Sequence, residues 1–167
     1  MTHWMKKAKI QNLLKQCQVI AENSKCSRRQ FGAIITTREG VAISAGYNGS
    51  IRGATNCGTD VGCAKDALNK EHYTDYDVCA AIHAELNAIL NAARSGSGVP
   101  LKGGIMFLNS AKVGDGGQPC RGCRRAIINA GITDVYYYTA KERMIHVNTG
   151  SWIREENHWM EHTRYGL

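Results

Sequence analysis

The residue pattern predicts an α/β fold, a three-layer α/β/α sandwich with a mixed central sheet. Three observations predict it. A helical run opens the chain, two short β-rich runs follow across a glycine-bearing turn, and the second half alternates helix, strand, helix and strand. A tight connection between two strands makes an antiparallel hairpin, whereas a strand–helix–strand unit needs a crossover and gives parallel strands. One sheet containing both is therefore mixed.

Each element has its own signal. Ile10, Leu13, Leu14, Cys17, Ile20 and Ala21 recur at helical spacing with lysines and glutamines between them, and Asn23 and Ser24 suit the end of that helix. Phe31 to Thr37 and Val41 to Gly46 read as strands joined by Arg38-Glu39-Gly40. From Asn48 to Asp77 no period is sustained. A segment of about thirty residues without one, inside a domain, is usually functional or pinned by something such as a metal. Ala80 to Arg94 is rich in Ala and Leu and is stopped by Ser95-Gly96-Ser97-Gly98, which predicts a helix. Ile105 to Leu108 reads as a buried strand and Val113 to Gly117 as a loop. Pro119 to Ala130 reads as a helix with proline at its start and Gly131 past its end. Asp134 to Thr139 is a further strand, and beyond it only Ser151 to Met160 has a helical pattern.

The 167 residues suit one domain, 1–167, with a single core. No run of about 18 apolar residues is present to span a membrane, and Met1 to Ile10 lacks the apolar core of a secretory signal. A cytoplasmic protein is expected. The odd count of seven cysteines cannot pair fully within one chain, which leaves metal binding or burial. A formal charge of +7 favours anions, but no stripe of Arg and Lys with interleaved aromatics marks a nucleic-acid surface.

Two motifs carry chemistry. His83-Ala84-Glu85 opens one predicted helix, and Pro119-Cys120-Arg121-Gly122-Cys123 opens the other. Cys120 and Cys123 share a helix face, and a helix N-terminus favours the thiolate a metal needs. One His and two Cys give zinc three protein ligands and leave a fourth position open, which marks a catalytic site. Zinc lowers the pKa of a bound water to about 7, and Glu85 is placed to take its proton and deliver it to a pyrimidine ring nitrogen. This order of residues is a known signature of zinc deaminases.

With those motifs, the chain resembles the deoxycytidylate (dCMP) deaminase family of the cytidine deaminase-like superfamily, from about Ala8 to Thr139. The resemblance also includes Gly32-Ala33-Ile34-Ile35, Gly46-Tyr47-Asn48-Gly49-Ser50 and the run from Leu86 to Ile89. It implies zinc-dependent hydrolysis of dCMP to dUMP and ammonia, feeding dTMP synthesis. It also implies His83, Cys120 and Cys123 as ligands to a catalytic Zn2+, Glu85 as proton shuttle, and Asn48 and the backbone at Ala84 as substrate contacts. Further implications are a homo-oligomer, typically a hexamer, activated by dCTP and inhibited by dTTP through the loop Gly46, Tyr47, Asn48 and Gly49. Some relatives carry a second, structural zinc, for which Cys26, Cys57, Cys63 and His72 would be the ligands here. The chain departs from the family between the third strand and Pro119, where residues 109–118 form an insertion at the lip of the expected site. The competing readings are a tRNA adenosine deaminase, another nucleoside or nucleic-acid deaminase of this fold, or a zinc-stabilised module without catalysis.

Overall fold

A computed structural model describes residues 5–71 and 78–163 of the chain. Helix α1 (Lys7–Ala21) buries Ile10, Leu13, Leu14, Cys17 and Ala21, the stripe expected from the 3.6-residue period. The hairpin also forms as expected. Strands β1 (Phe31–Thr36) and β2 (Ala42–Tyr47) pair antiparallel around a turn in which Gly40 takes φ +82°. Such a positive φ is strained for any residue with a side chain.

The long segment after the hairpin is more ordered than its lack of period suggests. It carries the two-residue strand β3 (Gly49–Ser50), which pairs antiparallel with β4 (Ala81–Ile82), and a single helical turn, α2 (Ala64–Ala67). Elements this short leave no periodic trace. Helix α3 (Ala84–Ser95) begins four residues later than the expected Ala80, because β4 occupies the interval, and Gly96 ends it in the left-handed conformation. Strand β5 (Ile105–Ser110), helix α4 (Arg121–Asn129) and strand β6 (Asp134–Tyr138) form the crossover unit, with β5 and β6 parallel. Pro119 stands just before the N-cap of α4 rather than inside its first turn.

Strand β7 (Met144–Asn148) is a finding that the sequence pattern did not suggest. It returns antiparallel beside β6 across a turn containing Glu142 at φ +56°, where glycine or asparagine would have signalled a hairpin. Helix α5 (Thr149–His162) follows directly, and the Asn148 side chain caps it by accepting from Gly150 N at 3.1 Å.

The sheet order is β2-β1-β5-β6-β7, with only the β5–β6 pair parallel. Side chains alternate between its two faces. Ile34, Ile105 and Phe107 meet α1, while Ala33, Ile35, Met106, Leu108, Val135 and Tyr137 pack with residues of α3, α4 and α5. The mixed sheet thus lies between helical layers, the expected α/β/α arrangement.

Two glycines set how closely those layers approach. A Cβ on Gly32 would stand 2.1 Å from Cys17 O of α1, and one on Gly46 would stand 2.4 Å from Ala88 N of α3. Of the residues expected in an effector loop, Gly46 ends up in a strand as its β-rich run also predicted, Tyr47 and Gly49 are strand residues as well, and Asn48 is the single residue between β2 and β3. Here glycine permits contact between strand and helix backbones rather than loop freedom. Among the described residues, no helix is long and apolar enough to cross a membrane.

Candidate active site

The two helix starts meet. His83 is the N-cap of α3 and Cys120 the N-cap of α4, both in extended backbone conformation, and Cys123 lies in the first turn of α4. The Cys120 Sγ accepts from Cys123 N at 3.5 Å. His83 Nδ1 lies 3.5 Å from Cys120 Sγ and 3.4 Å from Cys123 Sγ. A tetrahedral zinc with bonds of about 2.3 Å to sulfur and 2.0 Å to nitrogen separates such atoms by roughly 3.5 Å. The three donors fit that metal, and among the described residues they are the one His/Cys/Asp/Glu group gathered closely enough to hold a metal.

The protons follow the geometry. The Cys120 thiol is pushed down to about 4, first by the bond it receives from the Cys123 thiol and, against burial, also by His83. Cys123 is pushed up by that same partnership and by burial. The bond to Cys120 raises the His83 imidazole above its ordinary value, with burial opposing. Glu85, in the first turn of α3, is 5% exposed, and burial pushes its carboxyl up from the usual carboxylate range. Interaction with His83 and with the Cys123 thiol opposes that rise without overcoming it.

These groups stand at one end of a cavity of about 700 Å³ at the carboxyl ends of β5 and β6, a volume suited to a small molecule. Asn48 and Ala84 also line it. Both ends of the Asn48 amide hold backbone: Oδ1 accepts from Phe31 N at 2.7 Å and Nδ2 donates to Arg29 O at 2.9 Å. Asn48 thus shapes the entry to β1, and one amide hydrogen is left over for a ligand.

The segment 109–118 lies at the lip as expected, with Asp115 to Gln118 lining the cavity, although Asn109 and Ser110 belong to β5. It is anchored at both ends, by Ala111 N to Gln30 O (2.9 Å) and Gly117 N to Tyr138 O (2.7 Å). Of the residues expected to hold a second metal, Cys26, Cys57 and Cys63 are half-buried free thiols that form no metal-holding group among the described residues, and His72 lies outside them.

Sequence reasoning missed one wall of the cavity. Trp152, Glu155, Glu156 and Trp159 of α5 and Arg121, Arg124 and Arg125 of α4 build it together. Arg121 Nε bonds Glu156 at 3.0 Å and Arg124 Nη1 bonds Glu155 at 3.2 Å, while Arg125 also holds Glu156. Arg121 lies 3.7 Å above the Trp159 ring. The three arginines flanking Cys123 were a usable signal. Their partners, some thirty residues away, carried none.

What this fold presents is a domain whose His83, Cys120 and Cys123 fit a zinc ion, with room for a small molecule beside them. The chain belongs to the cytidine and deoxycytidylate deaminase zinc-binding family, whose model matches residues 7–139. It is 32% identical over 127 residues to a deoxycytidylate deaminase of Schizosaccharomyces pombe, an alignment covering 76% of this chain and 36% of that protein. It is 38% identical over 128 residues to ComE operon protein 2 of Bacillus subtilis, covering 76% and 57%. The chain therefore spans little more than half, or less, of the length of these two relatives. Among solved structures, the dCMP deaminase of cyanophage S-TIM5 in its apo form superposes with a TM-score of 0.59 at 26% identity, covering 81% of this chain and 86% of that one. The phage protein has also been solved in complex with dCMP and dUMP.

Proposed function

We propose that this chain hydrolyses deoxycytidylate to deoxyuridylate and ammonia, water supplying the oxygen that replaces the amino group. The observation that carries the proposal is a zinc-shaped donor triad, His83, Cys120 and Cys123, beside the buried carboxyl of Glu85 on the wall of one cavity. When bound, zinc lowers the pKa of a water to about 7 and so supplies the nucleophile.

The remaining steps belong to the chain. Glu85, buried out of water, takes a proton from the attacking water and passes it to the ring nitrogen, then carries the proton of the added hydroxyl to the departing amine as the carbon–nitrogen bond breaks. Backbone at Ala84 and Cys120, both on the cavity wall, orients the base, and the spare amide hydrogen of Asn48 faces the sugar. Dipoles at the starts of α3 and α4 favour negative charge developing there. The names of the similar proteins, dCMP deaminases of yeast and phage, support the choice of nucleotide.

Three further parts of the proposal rest on the family resemblance. Activation by dCTP and inhibition by dTTP would act through Gly46 to Gly49, in a cytoplasmic hexamer feeding dTMP synthesis. A second zinc would use Cys26, Cys57, Cys63 and His72. It is supported by the Gly58 N to Gly62 O bond (3.1 Å), which closes a turn between Cys57 and Cys63, and by the approach of Gly58 to Lys25. Two zinc atoms per chain in active protein is the expected metal count, and a count of one removes the second site.

The activity is tested by ammonia release from dCMP, cytidine, deoxycytidine and dCTP in parallel on zinc-loaded protein. Turnover of dCMP well above the others is expected. Silence on every pyrimidine, from protein holding its zinc, would move the reading to an adenosine or nucleic-acid substrate.

A further inference from the structure

At many helix starts the residue before the N-cap packs on the fourth helical residue, an apolar staple that fixes the angle at which the chain enters. In α4 those two residues are Pro119 and Arg124, and the N-cap they flank is Cys120. Here the staple is a hydrogen bond. Arg124 Nε donates to Pro119 O at 3.1 Å, while Arg124 N donates to Cys120 O at 2.9 Å. Proline has no N–H, so its carbonyl is the one backbone group by which Pro119 can be held. The peptide that follows is planar, so a bond to Pro119 O also sets the direction of the Cys120 N–H at its other edge. Turning that peptide about the Cys120 N–Cα bond would re-aim the N–H yet leave in place Sγ, which the helix carries. Upstream, Gly117 N is held by Tyr138 O at 2.7 Å, so Gln118 is the single residue between two anchored ones at the lip of the cavity.

What seats Arg124 comes from α5. Its Cζ lies 5.1 Å from the centre of the Trp152 ring, and its Nη1 donates to Glu155 at 3.2 Å. Trp152 is buried in the core and offers a fixed platform. The Arg124 side chain is 22% exposed, whereas those of Arg121 and Arg125 are 44% and 54% exposed and spend their bonds on Glu156. A planar guanidinium laid on a ring and pinned by a carboxylate aims its remaining N–H with little freedom to lose. Both α5 partners lie beyond residues 7–139, the span that the family model matches. This support of the site therefore comes from a part of the chain outside that span.

We infer that Arg124 is a positioning residue: it fixes the Pro119–Cys120 peptide so that the Cys120 N–H meets the base at the angle the reaction needs, and α5 holds it to that task. The inference rests on the pyrimidine-deamination reading above, and an amide signal that needs no turnover separates the two. On zinc-loaded, 15N-labelled full chain, Arg124→Met keeps the stem over Trp152 and removes the donors. The Cys120 amide signal is expected to move well beyond any change at Ile34, on the far face of the sheet, with the zinc retained. In turnover of dCMP, kcat is expected to fall about 10- to 100-fold with KM within about threefold of wild type. Arg124→Lys, which can still reach Pro119 O, should return most of kcat and guards against a folding defect in the first variant. Glu155→Gln should cost about threefold in kcat alone and nothing further in the Arg124→Met background, because α5 acts through Arg124.

A Cys120 amide that stays in place in Arg124→Met overturns the inference, and so does unchanged turnover. A raised KM with kcat kept would put Arg124 on the substrate itself, and loss of zinc would put its effect on the metal; either overturns it as well. If the Cys120 amide moves but wild type deaminates no pyrimidine, the staple stands and the proposed reaction falls.

Discussion

Asp134 and Glu85 are carboxyl groups drawn out of water at opposite ends of the parallel strand pair, and the fold treats them in opposite ways. Asp134 opens β6 at the amino end, is 14% exposed, and is surrounded by partners. His146 Nε2 lies 2.7 Å from Oδ1, Thr133 Oγ1 donates to Oδ2 at 2.8 Å, and Arg38 Nη2 stands 3.5 Å away. Burial alone would raise its pKa, but these bonds outweigh burial and hold it below the ordinary carboxylate range. Glu85, at the carboxyl end, is buried further and has no such set, so burial prevails and its pKa rises. Arg28 Nη1, buried without a hydrogen-bond partner, sits at that same end. One end of the sheet satisfies its charges, and the other keeps charged and polar groups incompletely met. That asymmetry separates a group that holds the fold from a group available for proton transfer.

The sharpest way to break the comparison is Glu85→Ala. If the glutamate serves proton transfer and not the fold, ammonia release from dCMP falls by at least about 1,000-fold. The triad should still hold zinc, because His83 and Cys120 are positioned as helix caps and not by Glu85. Metal analysis and ammonia assays on one preparation decide it. Retention of a tenth of wild-type turnover removes the shuttle role, and loss of the zinc would make Glu85 part of the metal's support.

Trp152→Ala sharpens the comparison from between the two ends. Helix α5 starts at the satisfied end, where Thr149 Oγ1 donates to Ile132 O at 3.0 Å and Asn148 Nδ2 to Thr133 O at 3.1 Å. Its later turns wall the cavity. Trp152 joins the two by packing in the core with Ile127, Ile132, Val135 and Tyr137. Removing an indole from such a site costs about 3–5 kcal/mol, readable as a lower urea midpoint. A loss under about 1 kcal/mol would mean that α5 rests on its Arg–Glu contacts alone, which as surface pairs are worth little.

How far the sequence was legible follows the same division. His83, Glu85, Cys120 and Cys123 could be read because each motif sits within one turn of helix, so spacing along the chain equals spacing in space. The β5–α4–β6 unit and the first hairpin were legible for the same local reason. Strand β7 was not, because its turn reaches a positive φ at Glu142 with no residue that advertises one. Neither the α4–α5 wall nor the link from Arg28 to Asp66 was visible, since both join residues about thirty or more apart through side chains ordinary for a solvated face. Gly46 was legible as part of the second strand, but its packing was not. Its missing side chain makes room for the backbone of α3, a contact between residues some forty apart that spacing along the chain does not reveal.

The smallest effect tests the satisfied end. Asp134→Asn keeps the shape of the side chain and removes its charge. At pH 7 it should lower stability by about 1 kcal/mol, the scale of a charge-assisted bond partly open to solvent. The sign of its pH dependence follows from the lowered pKa. Between the folded value and the unfolded value near 4, the unfolded chain binds more protons at this site than the folded chain does. The contribution of Asp134 is therefore complete above about pH 4 and is lost as pH falls through its folded pKa. Urea midpoints of wild type and variant should differ by a constant amount from pH 7 down to about pH 4, then converge in stronger acid. A gap that persists to pH 2 would mean that Asp134 acts through its shape and neutral hydrogen bonds, and the contrast with Glu85 would no longer be one of charge.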